Sequence, residues 1–225
     1  MKPKPSSGKL PLPARVNRAS PQAVNRRINR KTEAVQNAIL DAAAQVFAQK
    51  GYHLTKLADI SDVLEMHVTA LRYHFATKDV IAAELVDRVA RRNLSELQAA
   101  LAALPPEASV RDRLSVAIDT YIRTLIANRL DIAAHGNVIN QLPEDARTSH
   151  YELLQSFHAI WRALLGEAAE KGELPKGLNP SIATQVLLGA LIWTREWYRP
   201  NGATAAEIST QMRQMLFDGL FAAKT

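Results

Sequence analysis

From Thr32 almost to the C-terminus, apolar residues recur at helical spacing, and no stretch alternates with a period of two. An α-helix puts such residues on one face because it turns once in about 3.6 residues, whereas a half-buried strand needs strict alternation. The pattern therefore confines the chain to an all-α fold of about nine helices.

The breaks between runs carry the chemistry of helix ends. A first helix is expected over Thr32–Lys50, with Val35, Ile39, Ala42, Val46 and Phe47 on one stripe and Gly51 stopping it. Thr55 is the expected N-cap of a short second helix, Lys56–Val63; Leu64–His67 break it, and a third helix covers Val68–Phe75. Thr77 caps a long fourth helix, Lys78–Leu104, ended by Pro105–Pro106. Ser109 with Asp112 opens a fifth, to Ala127; a sixth covers Leu130–Asn140; a seventh runs Glu144–Lys171 up to Gly172. Asn179–Pro180 starts an eighth helix to about Tyr198, and Thr204 with Glu207 starts a ninth to about Ala222.

Charge divides the chain unevenly. Residues 1–31 hold nine lysines and arginines and no acid, among them Arg26, Arg27, Arg30 and Lys31, so residues 32–225 carry −3 of the net +6. With Pro3, Pro5, Pro11, Pro13 and Pro21 and little apolar periodicity, this segment reads as a basic arm, disordered to about Ala23. Such an arm suits a polyanion, because each phosphate contact releases counterions; a merely solvated leader is the alternative. With 225 residues, 47% of them hydrophobic, there is material for one large or two small domains. No apolar run approaches the roughly 18 residues of a membrane span, and no secretory signal is evident. Cysteine is absent, which rules out disulfides and fits a reducing cytoplasm.

Residues 32–78 are the informative segment. Ile39, Ala43, Phe47, Leu57, Ile60, Val63, Leu71 and Phe75 can close the core of a three-helix unit. With Leu71 and Phe75 inward, Val68, Thr69, Arg72 and Tyr73 point outward. Such a face suits the major groove of double-stranded DNA: arginine pairs bidentately with guanine, and valine or the threonine methyl meets a thymine methyl. Thr55, Lys56, Tyr73, His74 and Lys78 can hold flanking phosphates. Packing roles for Tyr73 and His74 remain the alternative at this point.

The stretch Ile39–Tyr52, then Thr55, Asp59–Ile60 and Leu71–Asp79, with their order and spacing, resembles the opening of the tetracycline-repressor (TetR) family. The resemblance implies an N-terminal helix-turn-helix DNA-binding domain over 32–92, with the motif at about 56–75, and a ligand-binding and dimerisation domain over 93–225. It implies a helix 1–2 turn at Gly51–Tyr52, Thr55 and Lys56 near the phosphate backbone, and a recognition helix with its entry at His67, Val68, Thr69, Ala70, Arg72 and Tyr73. Tyr73, His74 and Lys78 fall where the family commonly touches the backbone. The chain departs from the pattern at the usual turn glycine, which is Glu65, at His67, at Val68–Thr69 and at Arg72. These changes lie on the reading surface and imply an operator of its own. A left-handed Glu65 is expected to cost roughly 1 kcal/mol.

All three tryptophans lie in the C-terminal part, two of them in the aromatic and arginine-rich segment Trp193–Gly202. This reads either as core with a helix-end anchor or as a pocket wall with arginine at its mouth. Tyr151, Trp161–Arg162, Gly172–Leu174 and Trp193–Gly202 resemble TetR-type regulators of fatty-acid and steroid catabolism, which sense acyl-CoA thioesters. The resemblance implies a small-molecule effector of that class, an apolar tunnel among helices 4–8, Trp161, Trp193, Trp197 and Tyr198 beside it, and Arg162, Arg195 or Arg199 at phosphates. The family also pairs its last two helices in a homodimer, here through Ile182, Val186, Gly189, Ala190, Met212, Met215 and Leu216; intramolecular packing is the other reading. A dimer adds the free energies of two half-sites.

No zinc, phosphate-loop, dinucleotide or serine-hydrolase motif occurs, and His135, His150 and His158 are too scattered in sequence for a metal site. No cofactor, metal, membrane partner or enzymatic activity is expected. The resulting expectation is a ligand-responsive repressor; a helical small-molecule binder or scaffold with a structural N-terminal unit, or a ligand-independent DNA-binding protein, are the competing readings.

Overall fold

The computed structural model describes residues 21–220, with side chains from 29 to 218. Described helices are α1 Pro21–Lys50, α2 Leu57–Val63, α3 Val68–His74, α4 Lys78–Ala102, α5 Val110–Ala127, α6 Arg129–Val138, α7 Glu144–Glu170, α8 Pro180–Trp197 and α9 Ala205–Leu220, and no strand occurs among the described residues. A single 3₁₀ turn, Ile139–Gln141, follows α6.

Most helix ends obey their caps. Thr77 Oγ1 accepts from the Val80 N–H, Asn179 Oδ1 accepts from Ser181 and Ile182, and Thr204 and Glu207 exchange side-chain and backbone bonds in a full capping box. Three expectations change. The first helix starts at Pro21 rather than Thr32, so Arg26, Arg27, Arg30 and Lys31 belong to a helix; the arm before Pro21 lies outside the described residues. The N-cap of α2 is Lys56, because Thr55 is buried and its hydroxyl donates instead to the Gly51 carbonyl at 2.7 Å. Val63 is 45% exposed and does not close the N-terminal core.

Two apolar clusters organise the molecule. The first gathers Ile39, Phe47, Ile60, Leu71, Phe75 and Ile81 from α1–α4 and reaches Ala134, Val138 and Leu142 at the end of α6. The second packs α5, α7 and α8 around Trp161, with α9 closing one side through Ile208 and Phe217. Helices α4 and α6 contribute to both: the apolar face of α6 belongs to the first cluster while its Ile132 belongs to the second. Polar bonds reinforce that junction: Arg88 of α4 bridges Asp41 of α1 at 2.7 Å and Asp131 of α6 at 2.8 Å, and Arg92 adds a bond to Asp131 at 2.9 Å. Asp131 is buried, so its charge is compensated by two guanidinium groups rather than by water.

Candidate nucleic-acid interface

The α2–α3 turn keeps the geometry that its sequence makes costly. Glu65 has φ 51°, the Met66 N–H reaches Ser61 O at 3.0 Å and the Glu65 N–H reaches Asp62 O at 3.2 Å. This is the paired bonding of a Schellman closure with a non-glycine residue in the left-handed position. It aims α3 outward from α2. Leu71 is fully buried and Phe75 nearly so, which fixes the roll of the helix.

That roll leaves His67, Thr69, Ala70, Arg72 and Tyr73 exposed, with Val68 and His74 half-buried at the flanks. Tyr73 is 87% exposed, its ring meeting only the edge of His74. Among the described residues Arg72 has neither ion-pair nor hydrogen-bond partner. An arginine and a tyrosine held in the open on a short, firmly seated helix have their polar groups available for bases and phosphates. Lys56 is likewise exposed at the start of α2.

Two of the expected phosphate contacts have other employment. Thr55 is buried, its hydroxyl bonded to Gly51 and its N–H directed to Tyr52 O at 3.3 Å, so it has no donor left for a phosphate. Lys78 sits 4.3 Å above the Tyr52 ring and donates to Tyr52 O at 2.8 Å. The Tyr52 hydroxyl in turn donates to Asp79. Burial and the neighbouring carboxylate raise the Tyr52 pKa, so it remains a donor. Tyr52, Lys78 and Asp79 therefore clasp the α1–α2 turn to the first turn of α4. Sequence reasoning assigned Tyr52 only to a turn; Gly51, with φ 75° closing α1, and the Lys78–Asp79 pair held the available signal.

In the C-terminal half the seven residues expected around one ligand separate. Trp161 is fully buried in the second cluster against Phe157, and Arg162, next to it, is exposed on α7. Trp193 and Trp197 are 63% and 44% exposed on the outer side of α8, so they do not wall an internal tunnel. Arg199 closes the end of α8 by donating to the carbonyls of Glu196 and Tyr198. Of the seven, Arg195 and Tyr198 line a cavity of about 210 Å³ between α5, α6 and the end of α8, apart from the two outer tryptophans. Glu196, already paired with Arg195 Nε at 2.7 Å, also lies on its wall, and Arg129, Gly136 and Asn137 complete it. Sequence reasoning missed these three, although a glycine inside a helix costs about 1 kcal/mol relative to alanine and signals a packing reason. Here the reason is visible: a β-carbon on Gly136 would meet the Arg195 guanidinium at 3.3 Å. Arg129, together with the terminal N–H groups that Arg195 keeps beyond its Glu196 pair, suits a phosphate or carboxylate at this small cavity.

The expected dimer residues fall on the open parts of α8 and α9. Ile182 and Val186 are each 62% exposed and Met215 is 77% exposed, while Gly189 and Ala190 are open on the same helix. Met212 and Leu216 join Trp193, Trp197 and Met215 around an apolar groove of about 450 Å³ between α8 and α9. A surface this apolar is unusual for a face turned only to water. His135 and His150, distant in sequence, meet with their Nε2 atoms 3.3 Å apart, but no group of three metal ligands forms among the described residues.

Comparison with known proteins agrees with this architecture. Residues 39–85 match the family "Bacterial regulatory proteins, tetR family", and residues 107–220 match "Tetracyclin repressor-like, C-terminal domain". The chain is 24% identical over 185 residues to the HTH-type transcriptional repressor KstR2 of Rhodococcus jostii (strain RHA1), covering 81% of this chain and 89% of that protein. It superposes on the ketosteroid transcriptional regulator KstR2 of Mycobacterium tuberculosis with a TM-score of 0.75 at 19% identity, covering 84% of this chain and 95% of that one. It is also similar to AibR, solved in complex with isovaleryl coenzyme A and operator DNA, with a TM-score of 0.71 at 19% identity and coverage of 82% and 99%. With both parts of the chain matched in order, this protein belongs to the tetR family of bacterial regulatory proteins.

Proposed function

We propose that two copies of this chain bind a two-fold operator through α3 and that an anionic, acyl-CoA-like effector releases them, making the protein a ligand-controlled repressor. The observation that carries the DNA-binding part is the open face of α3, with Arg72 unpaired among the described residues and Tyr73 87% exposed. In this reading His67, Val68, Thr69, Ala70 and Arg72 meet base edges, and Lys56, Tyr73 and His74 meet phosphates. Lys78 positions the turn and contributes at most its remaining N–H donors. The basic run Arg26, Arg27, Arg30 and Lys31 supplies further positive charge for the same polyanion. The chain divides near residue 92, because Ile81–Val86 of α4 pack in the first apolar cluster and Val89 and Leu97 in the second. The α8–α9 face mates with its copy. The protein acts by binding, not by chemistry on its ligand, in the bacterial cytoplasm where the operator is.

The effector reading rests on Arg129 and Arg195 at the α5–α6–α8 cavity and on the regulators it resembles, one of them solved with a coenzyme A thioester and DNA. At about 210 Å³ the cavity holds a phosphate-bearing or short acyl portion, not a whole thioester. It also touches the DNA-binding unit: Asn137, on its wall, donates to Phe47 O near the end of α1. A ligand that shifts α6 favours one orientation of α1, and by linkage operator and effector must weaken each other equally.

The test is fluorescence anisotropy with duplexes from the region upstream of the gene. Arg72→Ala and Tyr73→Ala should each weaken binding about tenfold or more, with helicity and oligomeric state unchanged. A native dimer that binds no duplex sequence-specifically would end the proposal.

A further inference from the structure

A second cavity, far from the arginine-lined one in sequence and opposite in charge, lies where α1, the first half of α4 and the start of α7 meet. It encloses about 720 Å³, in the size range of small-molecule sites. Five carboxylates line it: Glu33, Asp79, Glu84, Asp87 and Asp145. Among the described residues no lysine or arginine lines it. Glu84 is paired with Arg91, but among the described residues Glu33, Asp79 and Asp145 have no ion-pair partner.

Asp87 sets this groove apart from an ordinary acidic surface. It is 8% exposed, and its Oδ1 is buried without any hydrogen-bond partner. Its Oδ2 is 3.7 Å from the Arg91 guanidinium, a long contact. His150 of α7 feels the Asp87 charge, yet burial holds its imidazole below the ordinary value and it does not neutralise the aspartate. With one oxygen orphaned in the interior and the other at a long contact, the Asp87 charge is incompletely compensated, and a cation in the groove that Asp87 lines adds compensation.

The lining also specifies the kind of cation. Among the described residues no three ligating side chains come within reach of one metal ion, so the carboxylates do not form a shell for a small ion. Leu40, Phe75, Val80 and Ala83 line the same groove. A wall that combines carboxylates with hydrocarbon matches a chain of methylenes carrying ammonium groups.

We propose that this groove binds an aliphatic polyamine, with one ammonium group donating to Asp87 and the others meeting Glu33 and Asp145. Because α1, α4 and α7 all contribute, an occupant ties the DNA-reading helices to the C-terminal part at a place separate from the Arg129–Arg195 cavity. The site stands whether or not the effector reading holds.

Calorimetric titration of the full chain with spermidine, and separately with putrescine, tests it at low salt. Saturable binding of one spermidine per chain is expected, with putrescine weaker because it carries fewer charges. Asp87→Asn, which keeps the shape, should weaken spermidine about tenfold or more. Since Asp87 is buried, the rim variant Glu33→Gln/Asp145→Asn provides a second measure and should weaken binding severalfold. Glu152→Gln/Glu170→Gln, exposed carboxylates of α7 outside the groove, should leave it unchanged. Equal weakening by the control pair, or titration without saturation, overturns the proposal in favour of general charge attraction. Binding that appears only after deletion of the basic residues 1–20 also overturns it, because the chain's own lysines and arginines would then be the occupant.

Discussion

Asn137 Nδ2 lies 3.3 Å from the carbonyl oxygen of Phe47, joining the wall of the arginine-lined cavity to the C-terminal end of α1. The next residues of the chain are the Gly51–Tyr52 turn and the clasp with Lys78 and Asp79, so a movement of α6 reaches the start of α2 through few steps. If this bond carries coupling, Asn137→Ala should leave operator affinity within a few-fold of native while shrinking the effector's effect. A hydrogen bond of this kind is worth about 0.5–1.5 kcal/mol, a sizeable part of a typical coupling energy of about 1–3 kcal/mol. Operator titrations with and without an added acyl-CoA, on native protein and variant, measure both quantities. Undiminished release in the variant would remove Asn137 from the pathway.

Glu65 occupies a left-handed position at φ 51°, where a β-carbon costs about 1–2 kcal/mol. Glycine removes that strain but loses more freedom on folding, an opposing term of about 0.4–1 kcal/mol. Glu65→Gly should therefore raise stability by up to about 1 kcal/mol, and Glu65→Val should lower it, since branching at the β-carbon worsens the clash. Denaturant midpoints at one fixed protein concentration check the order Gly, Glu, Val. The aim of α3 is set by this turn, so the glycine variant should retain operator binding.

His135 and His150 give the fold a dependence on acid. Burial, then the charge of His150 and of Arg195, lowers the His135 pKa to about 3, and burial lowers that of His150 as well. Both imidazoles are neutral in the folded protein near neutral pH, while in the unfolded chain they take up protons below about 6.5. The unfolded state thus binds more protons as pH falls below that value, and stability is lost. It is fully present above about 6.5 and declines towards pH 3. One histidine contributes up to about 1.4 kcal/mol for each pH unit within the window. Urea titrations at pH 7.5, 6.5 and 5.5 should show this decline, and His135→Gln should flatten it. A slope unchanged by the substitution would assign the acid sensitivity to carboxylates.

What could be read before the structure follows from how local each signal is. Helix ends at Thr77, Asn179 and Thr204 were legible because a cap is a matter of a few adjacent atoms. The outward face of α3 was legible because Leu71 and Phe75, one turn apart, both need the core. Thr55 and Val63 were misread: whether a short-helix residue faces in or out depends on the neighbouring helices, which local period does not reveal. The arginines of the C-terminal half show the same limit. Arg195 and Arg199 share one helix end, yet one lies against Gly136 of α6 and the other caps its own helix. The meeting of His135 with His150, and the placing of Asp87 and Glu33 on one groove, depend on α1, α4, α6 and α7 packing together, and nothing in a single sequence encodes that directly.

The exposed α8–α9 face makes the last prediction. Ile182, Val186 and Met215 are more than half exposed, and Met215 with Trp193, Trp197, Met212 and Leu216 lines an apolar groove. Leaving so much hydrocarbon in water costs about 25 cal/mol per Å², so mating it with a second copy is strongly favoured. A charge at its centre reverses that balance, because the dimer would have to bury it unpaired. Val186→Arg should therefore convert the dimer to monomer in sedimentation equilibrium while helicity is retained, since Val186 is open in the isolated chain. Loss of the mate removes one of two half-site contacts, and operator affinity should fall at least a hundredfold at the same protein concentration. A dimer of native strength in the Val186→Arg variant would place the partner surface elsewhere, and the spacing of the two recognition helices would need a different axis.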